Sequence, residues 1–196
     1  MTDLTKGSEL KGIFVFALPI FLGNLFEQLY NVTDTAIVGN FLWAEKLAAV
    51  GSSTQIVALT VSVSTGMSIG ASVIISQLYG AKRNQNMKEV VDTNLIFICL
   101  FSFFLMIFGL LYSPVFLEHL NVPAGLLSDA NAYLQTILLG LPFLFAYNTL
   151  ANVLRGLGDS KTPTFILISS VFLNVLLDVI FIKIFTYGVI GAALAT

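Results

Sequence analysis

Two acidic residues lie inside stretches of sequence that are otherwise apolar. Asp34 follows the run ALPIFLGNLFEQLYNVT, and Asp178 follows Asn174 by four residues in LNVLLDVIF. In a helix, that spacing of four places Asn174 and Asp178 one turn apart on the same face. Carboxylate and amide oxygens are hard donors that suit a small hard cation, and two desolvated carboxylates close together also bind protons more readily. These residue types therefore predict a site for a cation or a proton.

The composition places these residues in a membrane. The chain is 57% hydrophobic and only 10% charged, with 17 Phe among 196 residues, whereas soluble domains carry roughly 25% charged residues. A water-soluble fold could not bury so much apolar surface. Long apolar runs rather than short alternating segments favour helices over a membrane barrel. The sequence therefore predicts an all-α integral membrane protein.

The apolar runs predict six membrane spans, because a helix needs about 20 mostly apolar residues to cross a bilayer. Five runs are long enough, at roughly 13–38, 50–80, 93–117, 131–154 and 163–185. A sixth, 187–196, is still apolar at Thr196 and is too short to cross. We therefore expect the chain to be the first part of a longer one, with six spans of which the last is partial.

Basic residues predict the orientation of the spans, since Lys and Arg accumulate on the cytoplasmic side. The N-terminal segment and the loops after spans two and four hold seven of them, and the alternate sides hold two. The seven are Lys6, Lys11, Lys82, Arg83, Lys88, Arg155 and Lys161, and the two are Lys46 and Lys183. We expect a multi-pass protein of the plasma (cytoplasmic) membrane with a cytoplasmic N-terminus.

This orientation places the polar residues of three spans at similar depth. At the helical rise, Asp34 lies ~6 Å inside the outer end of span one, Asp178 ~10 Å inside that of span five, and Thr196 ~13 Å inside that of span six. With Asn174 beside Asp178, three spans can then contribute oxygen atoms to one cluster. The predicted cation or proton site therefore consists of Asp34, Asn174, Asp178 and Thr196.

Span one carries further polar residues and a proline. Its polar stripe predicts cavity-lining residues, namely Asn24, Glu27, Gln28, Tyr30 and Asn31. For the asparagines alone, a buried hydrogen bond to a neighbouring helix is the alternative, and Glu27 could instead anchor a loop. Pro19 removes a backbone hydrogen bond and predicts a bend in the helix, as is common where transporters build binding sites. In span two, Gly66-x-x-x-Gly70 predicts close helix packing, with a sliding helix as the alternative.

The loop after span four resembles a known family. The string RGLGDSKTP (155–163) is similar to the cytoplasmic loop between the fourth and fifth helices of multidrug and toxic compound extrusion (MATE) transporters. SQLYGAKRNQ (76–85) resembles that family's loop after helix two, and the first span resembles its first helix, with a bending proline at Pro19. Within the loop, Gly156 to Asp159 also fits the GxGD motif of intramembrane aspartyl proteases, a much shorter match.

The resemblance implies a fold and a function. The family has twelve helices in two six-helix lobes, of which this chain would be the N-terminal lobe without the C-terminal one. The site of its DinF-like branch falls on Asp34, Asn174, Asp178 and Thr196. The implied activity is antiport, in which inward movement of H⁺ or Na⁺ drives export of amphipathic, often cationic, organic compounds. The implied partners are membrane lipid, the substrate and the second lobe, with no cofactor beyond the coupling ion, no enzymatic activity and no nucleic acid. A flippase for lipid-linked precursors, or a protease using both aspartates, is the alternative.

Overall fold

The structure is a computed structural model that describes residues 9–185 and 187–196. Within those residues it contains helices and no strand, and several helices are long and apolar enough to cross a membrane. The predicted all-α membrane class is therefore confirmed. The side chains at 9, 38, 41–47 and 49 lie outside the description, as do residues 1–8, so the predicted positions of Lys46 and Lys6 fall outside the described residues. The spans are span one (Leu10–Ile37), span two (Val50–Gly80), span three (Asn84–His119), span four (Ala124–Leu139 with Leu141–Gly156), span five (Lys161–Ile184) and span six (Gly188–Ala195).

Spans one and two belong to a single helical run, Glu9–Gly80, rather than to two helices separated by a loop as predicted. The run reverses direction, as its contacts with the loop between spans four and five show. Pro19 accepts a hydrogen bond from Thr164, and a Cβ on Gly156 would lie 3.0 Å from the carbonyl oxygen of Ser72. A straight helix from Pro19 to Ser72 would be about 80 Å long. Their contact residues, Thr164 and Gly156, are only eight residues apart in the chain and so lie at most about 29 Å from each other. The two spans are therefore antiparallel.

Span four is bent where the sequence predicts one helix over 131–154. Ala124–Leu139 and Leu141–Gly156 meet at 47° across Gly140. Pro142 occupies the first turn of the second helix, where its missing N–H needs no partner. Glycine and proline so close together end one helix and begin another, because neither supports an uninterrupted helix.

Span three begins nine residues before its predicted start at 93. The preceding residues, NQNMKEVVD, are polar but helical, so a prediction based on apolar length alone leaves them out. Span five ends in a π-helical turn, Val179–Ile184, directly after Asp178. Span six then starts at Gly188, whose φ of +61° is a left-handed conformation that glycine adopts without strain.

The spans pack through an apolar core and through small polar side chains. The apolar core lies between spans three and four, around Leu117, Leu134 and Phe145. Spans two and four are joined instead by hydrogen bonds between side chains, from Asn148 to Ser64 at 3.1 Å and between Ser68 and Thr149 at 3.3 Å. Hydroxyl and amide groups commonly join helices in this way within a membrane.

The Gly66-x-x-x-Gly70 pair does not pack closely, contrary to the prediction. A Cβ added to either glycine would meet no atom within 4 Å among the described residues. The close approach on span two lies one half-turn further on, where Ser72 contacts Gly156. The prediction was wrong because the spacing of small residues does not indicate which face of the helix meets a neighbour.

Candidate functional site

Asn174 and Asp178 lie inside the helix bundle at the end away from residues 157–160. Asn174 is 7% exposed and Asp178 is fully buried. Asp178 is the last α-helical residue of span five, and the π-helical turn that follows changes the direction of the next side chains. Single π-helical turns are frequent at functional sites. Nothing in the residue pattern predicts this turn, which begins directly after Asp178.

Span six brings Thr196 to the same region. A Cβ on Gly191 would lie 3.2 Å from the backbone of Phe181, so only glycine lets span six approach the end of span five this closely. The Thr196 hydroxyl then lies 3.1 Å from the hydroxyl of Tyr30 on span one, and it also donates to the carbonyl of Ala192. Spans one, five and six therefore meet at one end of the bundle.

Asp34 completes the cluster from span one. It interacts electrostatically with Asp178, and Tyr30 interacts with both carboxylates. Span four adds Tyr133, which is 7% exposed and also interacts with both carboxylates. Tyr133 was not among the predicted site residues, because the sequence around one tyrosine in an apolar helix does not indicate the direction in which its side chain points.

Several polar atoms of this cluster have no hydrogen-bond partner although they are buried. They are Oδ1 of Asp34, Oδ1 and Nδ2 of Asn174, and Oδ1 and Oδ2 of Asp178. Buried carboxylate oxygens without a partner are costly, and this cost is removed when they bind a proton or a cation. No group of three His, Cys, Asp or Glu side chains in the described chain is placed to hold a metal ion. A cation here would therefore be held by a mixed set of carboxylate, amide and hydroxyl oxygens.

The remaining candidates on span one line its open surface. Asn24, Glu27, Gln28 and Asn31 are exposed, and Tyr30 is half-buried. The alternative reading of the two asparagines as buried structural amides is therefore wrong. The exposed polar stripe leads along span one from the loop end of the bundle to Asp34.

Pro19 lies within span one and faces span five. Its carbonyl accepts a hydrogen bond of 3.1 Å from the hydroxyl of Thr164. One turn further on, a Cβ on Gly23 would lie 3.3 Å from Leu167. Span one is thus held against span five where its own backbone hydrogen bonding is interrupted by proline.

Asp159 of the RGLGDSKTP loop has a structural role. Its carboxylate accepts hydrogen bonds from the amides of Lys161 and Thr162 and from the Thr162 hydroxyl, at 3.1, 3.1 and 2.7 Å. It therefore caps the first turn of span five. The hydroxyl and the amide of Thr162 hold the pKa of the Asp159 carboxyl below its ordinary value. Gly158, at φ +86°, makes the preceding turn, so the GxGD match reflects a helix cap and not a protease motif.

A groove of about 640 Å³ lies between spans two and three, near their connecting turn. It is lined by apolar side chains such as Met67 and Phe97, by the open face of Gly70, and by Glu89 and Asn94. The groove lies far along the bundle from Asp34 and Asp178, and no pattern in the sequence predicted it.

Comparison with known proteins gives one family. The family model described as MatE matches residues 19–180. The probable multidrug resistance protein YpnP of Bacillus subtilis (strain 168) is 34% identical over 194 residues, which cover 99% of this chain and 44% of that protein. The chain thus spans less than half the length of this relative.

Solved structures agree in fold. A crystal structure described as MATE in the straight conformation superposes with a TM-score of 0.92 at 28% identity, covering 100% of this chain and 43% of the other. A structure described as MATE in the bent conformation gives 0.90 at 27% identity, covering 97% and 42%. Both match the arrangement of helices described above over nearly the whole chain.

Proposed function

The chain belongs to the MatE family of transporters, and from that premise we propose that it forms one lobe of a secondary active antiporter. The antiporter exports amphipathic, often cationic, organic compounds in exchange for inward H⁺ or Na⁺. The observation that carries the proposal is the cluster of buried carboxylate and amide atoms without partners at Asp34, Asn174 and Asp178. The substrate class is taken from relatives such as YpnP, whose name assigns it to multidrug resistance.

The coupling ion occupies this cluster. Ionisable residues within membrane spans are costly and usually mark an ion or proton path. Binding one H⁺ or Na⁺ offsets one of the two negative charges that Asp34 and Asp178 carry when both are ionised, while the Asn174 amide and the Thr196 hydroxyl supply neutral oxygens. Tyr30 holds Thr196 in place through the bond between their hydroxyls. Both ions suit this set of donors, since carboxylates bind either a proton or a hard cation.

Ion binding drives transport by changing the conformation of span one. Neutralising Asp34 removes its repulsion by Asp178, and span one then changes its bend near Pro19. The change reshapes the cavity along the exposed stripe of Asn24, Glu27 and Asn31, and substrate is released outward. The ion must bind the two conformations with different affinity, because otherwise it shifts no equilibrium. Relatives solved in conformations described as bent and straight support this step.

The lobe works with a second lobe and within lipid. The substrate cavity forms between the two lobes, and apolar side chains such as Phe104, Phe143 and Phe165 are exposed to hydrocarbon. The protein lies in the plasma membrane, with its N-terminus and the 157–160 loop on the cytoplasmic side. The ion cluster then faces the outside, where the inward gradient begins.

A flippase that holds phosphate groups is disfavoured. Such a protein needs basic side chains within its cavity, and the described basic residues lie near the ends of the spans. A binding experiment tests the antiport proposal against it. Adding a cationic substrate to the full-length protein in detergent should release bound H⁺ or Na⁺. The reason is that the substrate and the ion favour different conformations, so binding of one lowers the affinity for the other. Substrate binding without release of either ion, across pH 5 to 8 and with Na⁺ present, would rule out competitive coupling.

A further inference from the structure

Thr164 joins two helices at the point where span one can bend. It lies in the first turn of span five and is 5% exposed. Its hydroxyl is 3.1 Å from the carbonyl oxygen of Pro19 on span one and 2.9 Å from that of Ser160 on its own helix. Its methyl group would lie 3.5 Å from a Cβ built on Gly23, one turn after Pro19, so Thr164 also leaves little free space beside that turn of span one.

The two acceptors compete for one proton. A threonine hydroxyl donates a single hydrogen bond, and within a helix it commonly donates to the carbonyl four residues earlier. Here that carbonyl belongs to Ser160, and Pro19 is the second acceptor. When span one moves away, the hydroxyl keeps a partner within its own helix. The bond between the helices can therefore break without leaving a buried donor unpaired, which is the main cost of breaking a buried hydrogen bond.

The position of the acceptor matters because it is a proline. Pro19 has no N–H, so the carbonyl of Val15 lacks its helical donor and the helix is weakest at this turn. A hydrogen bond from span five at that turn holds one bend angle of span one. Asp159 caps the turn of span five that carries Thr164, and so keeps the hydroxyl in a fixed position.

We propose that Thr164 is a positioning residue that latches span one to span five at Pro19, and that the latch opens when span one changes its bend. The latch rests on the proposed function, in which bending of span one couples ion binding to transport. Its effect is on the ratio of the two conformations of span one.

The test measures that conformation directly. Spin labels on cysteines replacing the exposed Phe14 and Ile96 of the full-length protein, with Cys99 changed to Ser, report the distance between the start of span one and span three. Thr164→Val removes the hydroxyl and keeps the shape, whereas Thr164→Ser keeps the hydroxyl. Thr60→Val is the matched control, because Thr60 is buried and donates only to the carbonyl of Ile56 in its own helix.

Thr164→Val should shift the population ratio of the two distances by roughly 2- to 10-fold, the range expected for loss of one hydrogen bond. Thr164→Ser and Thr60→Val should give the wild-type distribution. A wild-type distribution for Thr164→Val, or the same shift for Thr164→Ser, would overturn the latch. Because the distance measurement needs neither an ion gradient nor a substrate, it separates a failed latch from a failed antiporter. A shifted distance distribution in Thr164→Val, combined with no ion-dependent efflux by the full-length wild-type protein, would support the latch and refute the proposed coupling.

Discussion

At the scale of single residues, the central feature is a pair of carboxylates within membrane spans, three of whose four oxygens are buried and accept no hydrogen bond from the described residues. Asp178 is fully buried, and neither of its oxygens accepts a hydrogen bond. Asp34 has one buried oxygen in the same state. A structural role would have given these atoms hydrogen-bond donors, as it has for the carboxylate of Asp159. The contrast between the two kinds of aspartate supports a role for Asp34 and Asp178 in binding an exchangeable ion.

Removing either charge should stop coupled transport. We expect Asp34→Asn and Asp178→Asn to reduce ion-driven efflux to the level of membranes without the protein, because an amide neither takes up a proton nor neutralises a cation. Dye efflux from vesicles, corrected for protein abundance, measures this. Asp92→Asn, at an exposed aspartate of span three, should transport normally. Equal loss in the Asp92 variant would show a general effect of charge and contradict the assignment.

The cap at Asp159 predicts a pH-dependent stability. Its folded pKa lies below the value near 3.9 expected in the unfolded chain, so its carboxylate stabilises the fold above about pH 4. This contribution is lost as pH falls through the folded pKa. Asp159→Asn keeps the hydrogen-bond acceptor but does not titrate, so wild type should exceed it in Tm at pH 6 and lose that advantage below pH 4. A difference that is constant with pH would contradict the cap.

Among single residues, the sequence identified the candidate site residues whose side-chain chemistry is unusual within a membrane span. Asp34, Asn174 and Asp178 could be grouped from depth and spacing, because polar groups inside apolar runs are costly and therefore indicate a function. Tyr133 could not, since a tyrosine is compatible with either the core or the lipid face. The Gly66 and Gly70 pair shows the same limit, because the rotation of a helix about its axis is set by tertiary packing.

At the scale of elements, irregular helices position the cluster. Span one contains Pro19, span four is bent at Gly140, and span five ends in a π-helical turn after Asp178. Regular helix is interrupted by the bend in span four and by the π-helical turn in span five, whereas span one is helical through Pro19. The proline could be read from the sequence. The π-helical turn and the helical continuity of spans one and two could not, because they depend on packing between elements and not on composition.

The bend that we propose near Pro19 makes a prediction about transport. Pro19→Ala restores the missing N–H and a regular helix, so we expect slower efflux with abundance and ion binding largely unchanged. Initial efflux rates and ion binding to the same purified protein measure the two effects separately. Unchanged efflux would remove the bending of span one from the mechanism.

The packing of span six predicts a second effect. Gly191→Ala places a methyl group 3.2 Å from the backbone of Phe181, which must shift, at a cost of about 1–3 kcal/mol. We expect a lower Tm and weaker ion binding, because Thr196 moves away from Tyr30. Gly66→Ala is the matched control, since its methyl group meets no atom within 4 Å of the described residues. Equal effects of both variants would contradict the packing argument.

At the scale of the whole molecule, the spans form one bundle with the ion cluster at one end and the RGLGDSKTP loop at the other. The exposed polar stripe of span one connects the two ends along the surface of the bundle. Because the chain covers 44% of the length of YpnP, a second lobe of similar size would cover that stripe and enclose a cavity. The class of the fold followed from apolar length alone, whereas the division into helices and their boundaries required the structure.

A division into two lobes predicts that one lobe does not transport. Residues 1–196 alone should insert into membranes and bind the coupling ion, but should show no efflux. Efflux from vesicles containing only residues 1–196, compared with the full-length protein at equal abundance, measures this. Activity of the single lobe would contradict the two-lobe account.

The most direct test of the account is efflux by the full-length protein in vesicles under an imposed Na⁺ gradient or an imposed pH gradient, applied separately. We predict that at least one of these inward gradients drives substrate export, and that Asp34→Asn abolishes the response to it. Efflux that is independent of both gradients, or that persists undiminished in the Asp34 variant, would contradict the assignment of this cluster as the coupling site.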